Sequence, residues 1–201
     1  HYGGKSAFLG YGGFPRQTCI SVNDVVIHGI ASATQRLMIG DIVSLDVGVW
    51  FEGYVGDNAL TVPVGGASAE AQELLAVTET SLQKGIQAAR AGNRVSDISR
   101  AVQTWVESHN CSVVKDFVGH GVGRKLHEDP PVPNYVDGYR SPKLLPGMTL
   151  AIEPMVNLGK DSVKILKDGW TTVTKDGSLS AHFEHTVLIT NAEPVILTCP
   201  D

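Results

Sequence analysis

Two aspartates, two glutamates and one histidine of this chain stand in apolar surroundings: Asp46, Asp57, His120, Glu153 and Glu184. Gathered in one partly buried site, the four carboxylates would carry about four negative charges, and some would be forced to protonate without compensation. Two divalent cations offset that charge almost completely. Oxygen-rich ligation with a single imidazole suits Mn, Fe, Co or Zn and is poor for a soft metal. Two such ions about 3.5–4 Å apart can share a bridging water and lower its pKa, which makes a nucleophile at neutral pH. Each residue alone also has an ordinary reading. A histidine in a Gly-rich turn is usually structural, a glutamate before proline often ends a strand, and a glutamate on a late strand usually faces solvent. The GHGVG run (119–123) matches neither GxGxxG nor GxxxxGK[ST], so a phosphate loop is discounted.

The elements that would position these groups are legible in part. Val43, Leu45, Val47 and Val49 alternate with Ser44, Asp46 and Gly48, the period-2 pattern of a half-buried strand. Glu52-Gly53 signals a turn, and Val55 to Val62 can return as a second strand. Asp46 and Asp57 flank that turn, so the hairpin brings them opposite or diagonal to each other. Asp is depleted in strands and like charges on neighbouring strands destabilise a sheet, so a bound cation is the better explanation of the pair. His120 is flanked by Gly119 and Gly121 in what reads as a strand over Val113–Gly123 entering a glycine-rich turn. Glu153 lies in a strand over Thr149–Val156, held extended by Pro154. Glu184 shares a face with His182 and Thr186.

Further along, residues 1–13 read as loop around a short Ala7-Phe8-Leu9 strand. CISV (19–22) and VVIHGI (25–30) read as extended pieces joined at Asn23-Asp24. A helix is expected over Ala69–Ala91 with Leu75, Leu82, Ile86 and Ala89 on its apolar face and Gly92 just past its end. A second is expected over Val95–His109, with Ile98, Val102, Trp105 and Val106 inward and Asn110 as its stop. The Pro-rich 128–146 reads as loop. Residues 170–174, 182–190 and 194–198 read as a β-meander. Strands, then helices, then strands make the class α+β.

Composition narrows the function classes. The chain has 201 residues, 42% hydrophobic and 18% charged, which suits a packed globular protein. A net charge of -5 implies no broad basic surface for nucleic acid. No apolar run reaches the roughly 18 residues a membrane span needs, and no secretory signal is visible. Three cysteines without CxxC spacing argue against a disulfide framework or structural zinc, so a reducing compartment, the cytoplasm, is the default. No composition shift marks a boundary, so residues 1–201 read as a single domain. A start at His1 rather than Met reads as a fragment or a processed product.

The stretches YGGFPRQTCISVNDVVIHGI, DIVSLDVG, GYVGDNALT, FVGHGVGRKLHEDP, GMTLAIEPMVN and DGWTTVTKDGSLSAHFEHTVLIT resemble type I methionine aminopeptidases of peptidase family M24. The likeness runs from about residue 7 to residue 198. It implies the pita-bread fold: two pseudo-symmetric halves around a curved antiparallel sheet flanked by helices, with two divalent metals (Co, Mn, Fe or Zn) at the centre. It also implies removal of the initiator methionine from nascent proteins when the next residue is small, by attack of a metal-bridging hydroxide on the first peptide bond. In the roles it implies, Asp46 chelates one metal, His120 and Glu153 hold the other, and Asp57 and Glu184 bridge both. Glu153 doubles as general base. His28 and His127 contact the scissile amide.

The methionine pocket is implied at Tyr11, Phe14, Cys19, Leu126 and Trp170. Leu126 stands where many members carry phenylalanine, a departure expected to loosen the pocket. Asn23, Val25 and Ser180 match positions that hold a monovalent cation in some relatives. Partners implied are N-terminal Met peptides and the ribosome exit region, with no direct nucleic acid or membrane contact, and the chain is expected to be a monomer. Members usually carry a helical segment before the point where this sequence begins, so one side of the fold is expected to be less covered. Proline-specific peptidases share the fold and ligand set, and a non-enzymatic binding protein of this fold is the remaining alternative.

Overall fold

The computed structural model describes residues 3–136, 138 and 141–199. The strands and helices in order are β1 (Lys5–Ser6), β2 (Cys19–Val22), β3 (Val25–Ile27), β4 (Ile42–Phe51), β5 (Tyr54–Pro63), α1 (Ala69–Ala88) and α2 (Val95–Ser108). There follow β6 (Ser112–Val113), β7 (Gly119–Gly121), β8 (Glu128–Val132), β9 (Thr149–Ile152), β10 (Met155–Asn157) and β11 (Val163–Ile165). The chain closes with β12 (Thr172–Thr174), β13 (Ser180–His182), β14 (Glu184–Leu188) and β15 (Val195–Ile196). Among the described residues, a nine-stranded sheet runs β1-β4-β5-β14-β9-β7-β8, with β2 also on β4 and β15 on β14. Two three-stranded sheets, β13-β10-β6 and β11-β12-β3, accompany it. The expected α+β architecture is present, with antiparallel sheets and two packed helices.

The hairpin forms in the expected register. Gly48 pairs with Asp57 and Asp46 with Ala59, so the two aspartates are diagonal neighbours on one face. The polarity of the strand is the finding. Ser44 and Gly48 are buried, whereas Leu45, Val47 and Val49 on the opposite face are 37%, 40% and 38% exposed. The polar face points inward because that is where the site lies.

The helices cover the other half of the sheet on its outward side. Leu82 and Ile86 of α1 pack with Ile98 of α2 on Leu150, Ile152 and Val187 of β9 and β14. Gly85 lets the helices approach, since a Cβ there would lie 2.9 Å from Val102 Cγ2. The inward face of α1 carries Ala71, Leu74, Val77, Leu82 and Ile86, so Leu74 and not Leu75 is the buried leucine. Helix α1 ends at Ala88, before Gly92, which takes φ +91° in the following turn. In α2, Ile98, Val102 and Val106 are buried as the spacing predicts, Val95 joins them, Trp105 is only half-buried, and Asn110 turns the chain at φ 57°.

Several strands fall elsewhere than expected. The first is Lys5–Ser6, because the Ser6 hydroxyl accepts from the Phe8 and Leu9 N–H groups and bends 7–9 out of line. Within 128–146, Glu128–Val132 is a strand despite Pro130 and Pro131. Among the described residues it pairs only with β7, at the end of the sheet path, where missing N–H groups interrupt no second ladder. Residues 137, 139 and 140 of that stretch lie outside the described residues, as do residues 1 and 2 of the N-terminal loop reading.

The run Thr149–Val156 is two strands, split at Glu153-Pro154 between different sheets. Of the expected meander only the last pair forms among the described residues: β14 pairs with β15, and also with β5 and β9, whereas β12 pairs with β11 and β3, and β13 with β10. Period-2 patterning marks a strand but not its partner.

Candidate active site

His120 is on a strand, not in a turn. A Cβ on Gly119 would lie 2.3 Å from the Ala151 carbonyl oxygen, and one on Gly121 would lie 2.3 Å from that of Asp129. Glycine at both positions lets β7 sit between its neighbours, and His120 projects alone. Its Nδ1 is 2.9 Å from the Gly121 carbonyl, which can only accept, so the proton is on Nδ1 and Nε2 carries a lone pair. That Nε2 is 3.4 Å from Glu153 Oε1 and 3.9 Å from Asp57 Oδ2. These are acceptors facing acceptors. Burial, then His127, lowers the His120 pKa to about 4, so no imidazolium relieves the contact at neutral pH.

The carboxylates meet from four strands, the aspartates from the middle of theirs and the glutamates from strand ends. Asp57 is on β5, Asp46 on β4, Glu184 opens β14, and Glu153 follows β9 before Pro154. Ligand atoms of Asp57, His120 and Glu184 lie within 4.8 Å of one another, and all three residues are buried. Asp46 Oδ1, Asp57 Oδ1 and Glu184 Oε1 are buried with no hydrogen-bond partner. Such orphans are costly unless something outside the chain satisfies them. Burial raises the Asp57 carboxyl to about 7. Burial raises Asp46, Glu153 and Glu184 well above the usual carboxylate range, and the neighbouring carboxylates push each further. An oxygen set with one imidazole lone pair fits hard or borderline divalent cations.

All five expected ligand residues line one cavity of about 190 Å³. So do the expected pocket residues Tyr11, Phe14, Cys19, His28, Leu126, His127 and Trp170. Trp170 is held by Asp168, whose carboxylate accepts from the Trp170 and Thr171 N–H groups at 2.9 Å each. Its ring meets Phe14 edge-on, with centroids 5.2 Å apart. Cys19 pairs with Asp46 across β2 and β4, and burial, then the Asp46 carboxylate, pushes its thiol pKa up. His127 is exposed but engaged, with Nδ1 2.8 Å from the Tyr11 hydroxyl and its ring 4.1 Å from that of His120.

His28 follows β3 with φ 57°, and burial, then His127, lowers its pKa to about 4. It is positioned by Gly29, where a Cβ would stand 2.1 Å from the Ile20 carbonyl oxygen. Gly29→Ala is expected to cost about 1–3 kcal/mol and to lower kcat/KM by displacing His28. Thermal melting and peptide kinetics check this, and wild-type values in both would refute it.

Four lining residues went unforeseen: Phe8, Ile27, Phe117 and Val118. Phe117 packs edge-on against His28, at 5.6 Å and 87°. Its place three residues before His120 was the available signal. His182 was also missed as a neighbour; its Nε2 lies 3.8 Å from Glu153 Oε2. At the expected monovalent site, the Asn23 carbonyl accepts from Ser180 N–H at 2.9 Å, and Val25 opens β3.

The model of metallopeptidase family M24 matches residues 2–191. A methionine aminopeptidase of Clostridium perfringens is 54% identical over 197 residues, covering 98% of this chain and 79% of that protein. The crystal structure of methionine aminopeptidase from Thermotoga maritima superposes with a TM-score of 0.95 at 49% identity, over 98% of this chain and 79% of that one. A prolidase from Pyrococcus furiosus, 24% identical, shares the fold with a TM-score of 0.72 over 92% of this chain and 49% of that one. Among the described residues no helix is long and apolar enough to cross a membrane. Sequence likeness and structural likeness over nearly the whole chain converge: the chain belongs to metallopeptidase family M24 and, within it, to the methionine aminopeptidases, metal-dependent exopeptidases of the pita-bread fold.

Proposed function

We propose that this chain, as a single catalytic domain, removes the N-terminal methionine from peptides whose second residue is small, using two divalent cations. The observation that carries the reading is that ligand atoms of Asp57, His120 and Glu184 lie within 4.8 Å of one another, with oxygens of Asp46, Asp57 and Glu184 buried and orphaned and His120 Nε2 bare. Asp46 would hold one cation, His120 and Glu153 the other, and Asp57 and Glu184 both. Bound there, the cations supply Lewis acidity and lower the pKa of a water. Glu153 takes a proton from the attacking water and returns it to the departing amide nitrogen. His28, neutral with its pKa near 4, offers an N–H to the developing oxyanion or leaving nitrogen.

The Tyr11 hydroxyl holds His127 Nδ1, which orients that ring beside the scissile bond. Phe14, Trp170, Leu126 and Cys19 form an apolar, polarizable cup suited to a thioether. A monovalent cation near Asn23, Val25 and Ser180, work on nascent chains in the cytoplasm and a monomeric state complete the proposal.

The test is methionine release from Met-Ala-Ser by the chelator-stripped protein before and after adding Mn(II), Fe(II), Co(II) or Zn(II), beside a panel of X-Pro peptides. Release only with metal, and only from Met-Ala-Ser, is the expected result. Preference for X-Pro would move the chain to proline-specific cleavage. Inactivity with every metal in a folded protein would favour a binding role.

A further inference from the structure

The nine-stranded sheet is joined at its middle by little backbone. Strands β5 and β14, which carry Asp57 and Glu184, pair at two positions, Ala59 with Glu184 and Asn58 with His185. Continued in the same register, the ladder would set Asp57 against Thr186 at one end and Thr61 against His182 at the other. At both ends a threonine hydroxyl stands in for the backbone. Thr186 Oγ1 accepts from the Asp57 N–H at 3.0 Å and donates to the Asp57 carbonyl at 2.8 Å. Thr61 Oγ1 accepts from the His182 N–H at 2.9 Å and donates to the His182 carbonyl at 2.8 Å.

A hydroxyl has one proton, so the Ser44 hydroxyl 2.9 Å from Thr61 Oγ1 must be the donor there. Both threonines are 3% exposed, and neither lines the cavity. The two clasps are mirror images in bonding, but only one grips a residue of the acidic cluster.

We infer that Thr186 is a positioning residue for Asp57, and that its clasp sets the spacing of the Asp57 and Glu184 carboxylates across the seam. This rests on the reading that both carboxylates bridge two cations. Asp57 stands opposite Gly48 in the β4–β5 register, but its N–H and carbonyl both turn toward β14, where the Thr186 hydroxyl takes them. Valine keeps the shape and loses the clasp, leaving a buried N–H and carbonyl unpaired. Serine keeps the hydroxyl. Thr61 supplies the control, because Thr61→Val removes the matching pair of bonds, and the Ser44 bond with it, from a residue outside the ligand set.

The experiment titrates Co(II) into metal-free wild type, Thr186→Val, Thr186→Ser and Thr61→Val, following Co(II) visible absorption, with thermal melting of each metal-free protein alongside. Thr186→Val is expected to bind Co(II) about 10–100-fold more weakly, and Thr186→Ser within about threefold of wild type. Thr61→Val should melt lower by a similar margin yet bind Co(II) within about threefold of wild type. Wild-type affinity in Thr186→Val, no rescue by serine, or an equal loss in Thr61→Val overturns the inference. Should Thr186→Val not fold, Thr186→Cys replaces it, since a thiol is a weak donor and acceptor; undiminished affinity there overturns it too. A wild type that binds no Co(II) overturns the metal reading itself, and this is seen before any variant is compared.

Discussion

Glu184→Gln is expected to lower metal-dependent methionine release by at least about a thousandfold while raising the melting temperature of the metal-free protein. The two effects have opposite sign for one reason. Glu184 is buried beside Asp57, Glu153 and Asp46, and burial followed by those carboxylates raises its pKa far above the usual range. Without cations its charge is a burden, and an isosteric amide removes it. With cations that charge is the ligand, and a neutral amide cannot balance two divalent ions. A gain of about 1 kcal/mol corresponds to roughly 2–4 °C for a chain of this size. Peptide kinetics with added Mn(II) and calorimetry of the stripped protein check both halves. Normal turnover in a folded Glu184→Gln variant would sink the assignment of this site.

The second large effect is the response of the stripped protein to pH. A carboxyl raised by folding binds its proton more tightly in the native state. Its stabilising contribution is complete below the unfolded value and is lost as pH rises through the folded one. Asp57 goes from 3.8 to about 7, and Asp46, Glu153 and Glu184 shift in the same direction. The buried histidines oppose this at lower pH. Burial lowers His28 and His120 from 6.5 to about 4 and His182 to about 3, so the unfolded chain takes up their protons first as pH falls below 6.5.

Above about 6.5 those histidines are neutral in both states and the carboxylates act alone. The metal-free protein is therefore expected to lose stability between about pH 6.5 and 8.5, with Asp57, near 7, contributing about 1 kcal/mol and the other carboxyls acting in the same direction. Cations at about a thousand times their Kd add about 4 kcal/mol, roughly 10 °C in melting temperature. Because ligation needs the deprotonated groups, the gap between loaded and stripped protein widens as pH rises. Melting curves at both pH values with and without Mn(II) measure this. A stripped protein that gains stability over that range, or a gap that narrows, would contradict it.

The ligand set was legible because its residues break local rules. Aspartates in paired strands and glutamates in apolar strand ends need a reason, and the reason survives whatever the exact strand boundaries are. Helix α2 was legible for the opposite cause, since Val95, Ile98, Val102 and Val106 obey one period and bury one face. Pairing was not legible. Nothing local distinguishes β12, β13 and β14 as members of three different sheets, because strand partners are chosen by residues far apart in sequence. Local pattern also misread β7, where glycines that suggest a turn in fact clear space for the Ala151 and Asp129 carbonyls.

By itself, then, the sequence determined the α+β class, the hairpin, the second helix, and which residue types could hold divalent cations. Tertiary structure alone decided which face of β4 looks inward. It also decided that Phe117 backs His28, and that a seam two residue pairs wide is clasped at each end by a threonine. The physical reason is range. Propensity, period and charge are properties of a few neighbouring residues. The inward face, the pocket wall and the Asp57–Thr186 clasp are contacts between segments as much as 129 positions apart, and they exist only once the sheet has closed.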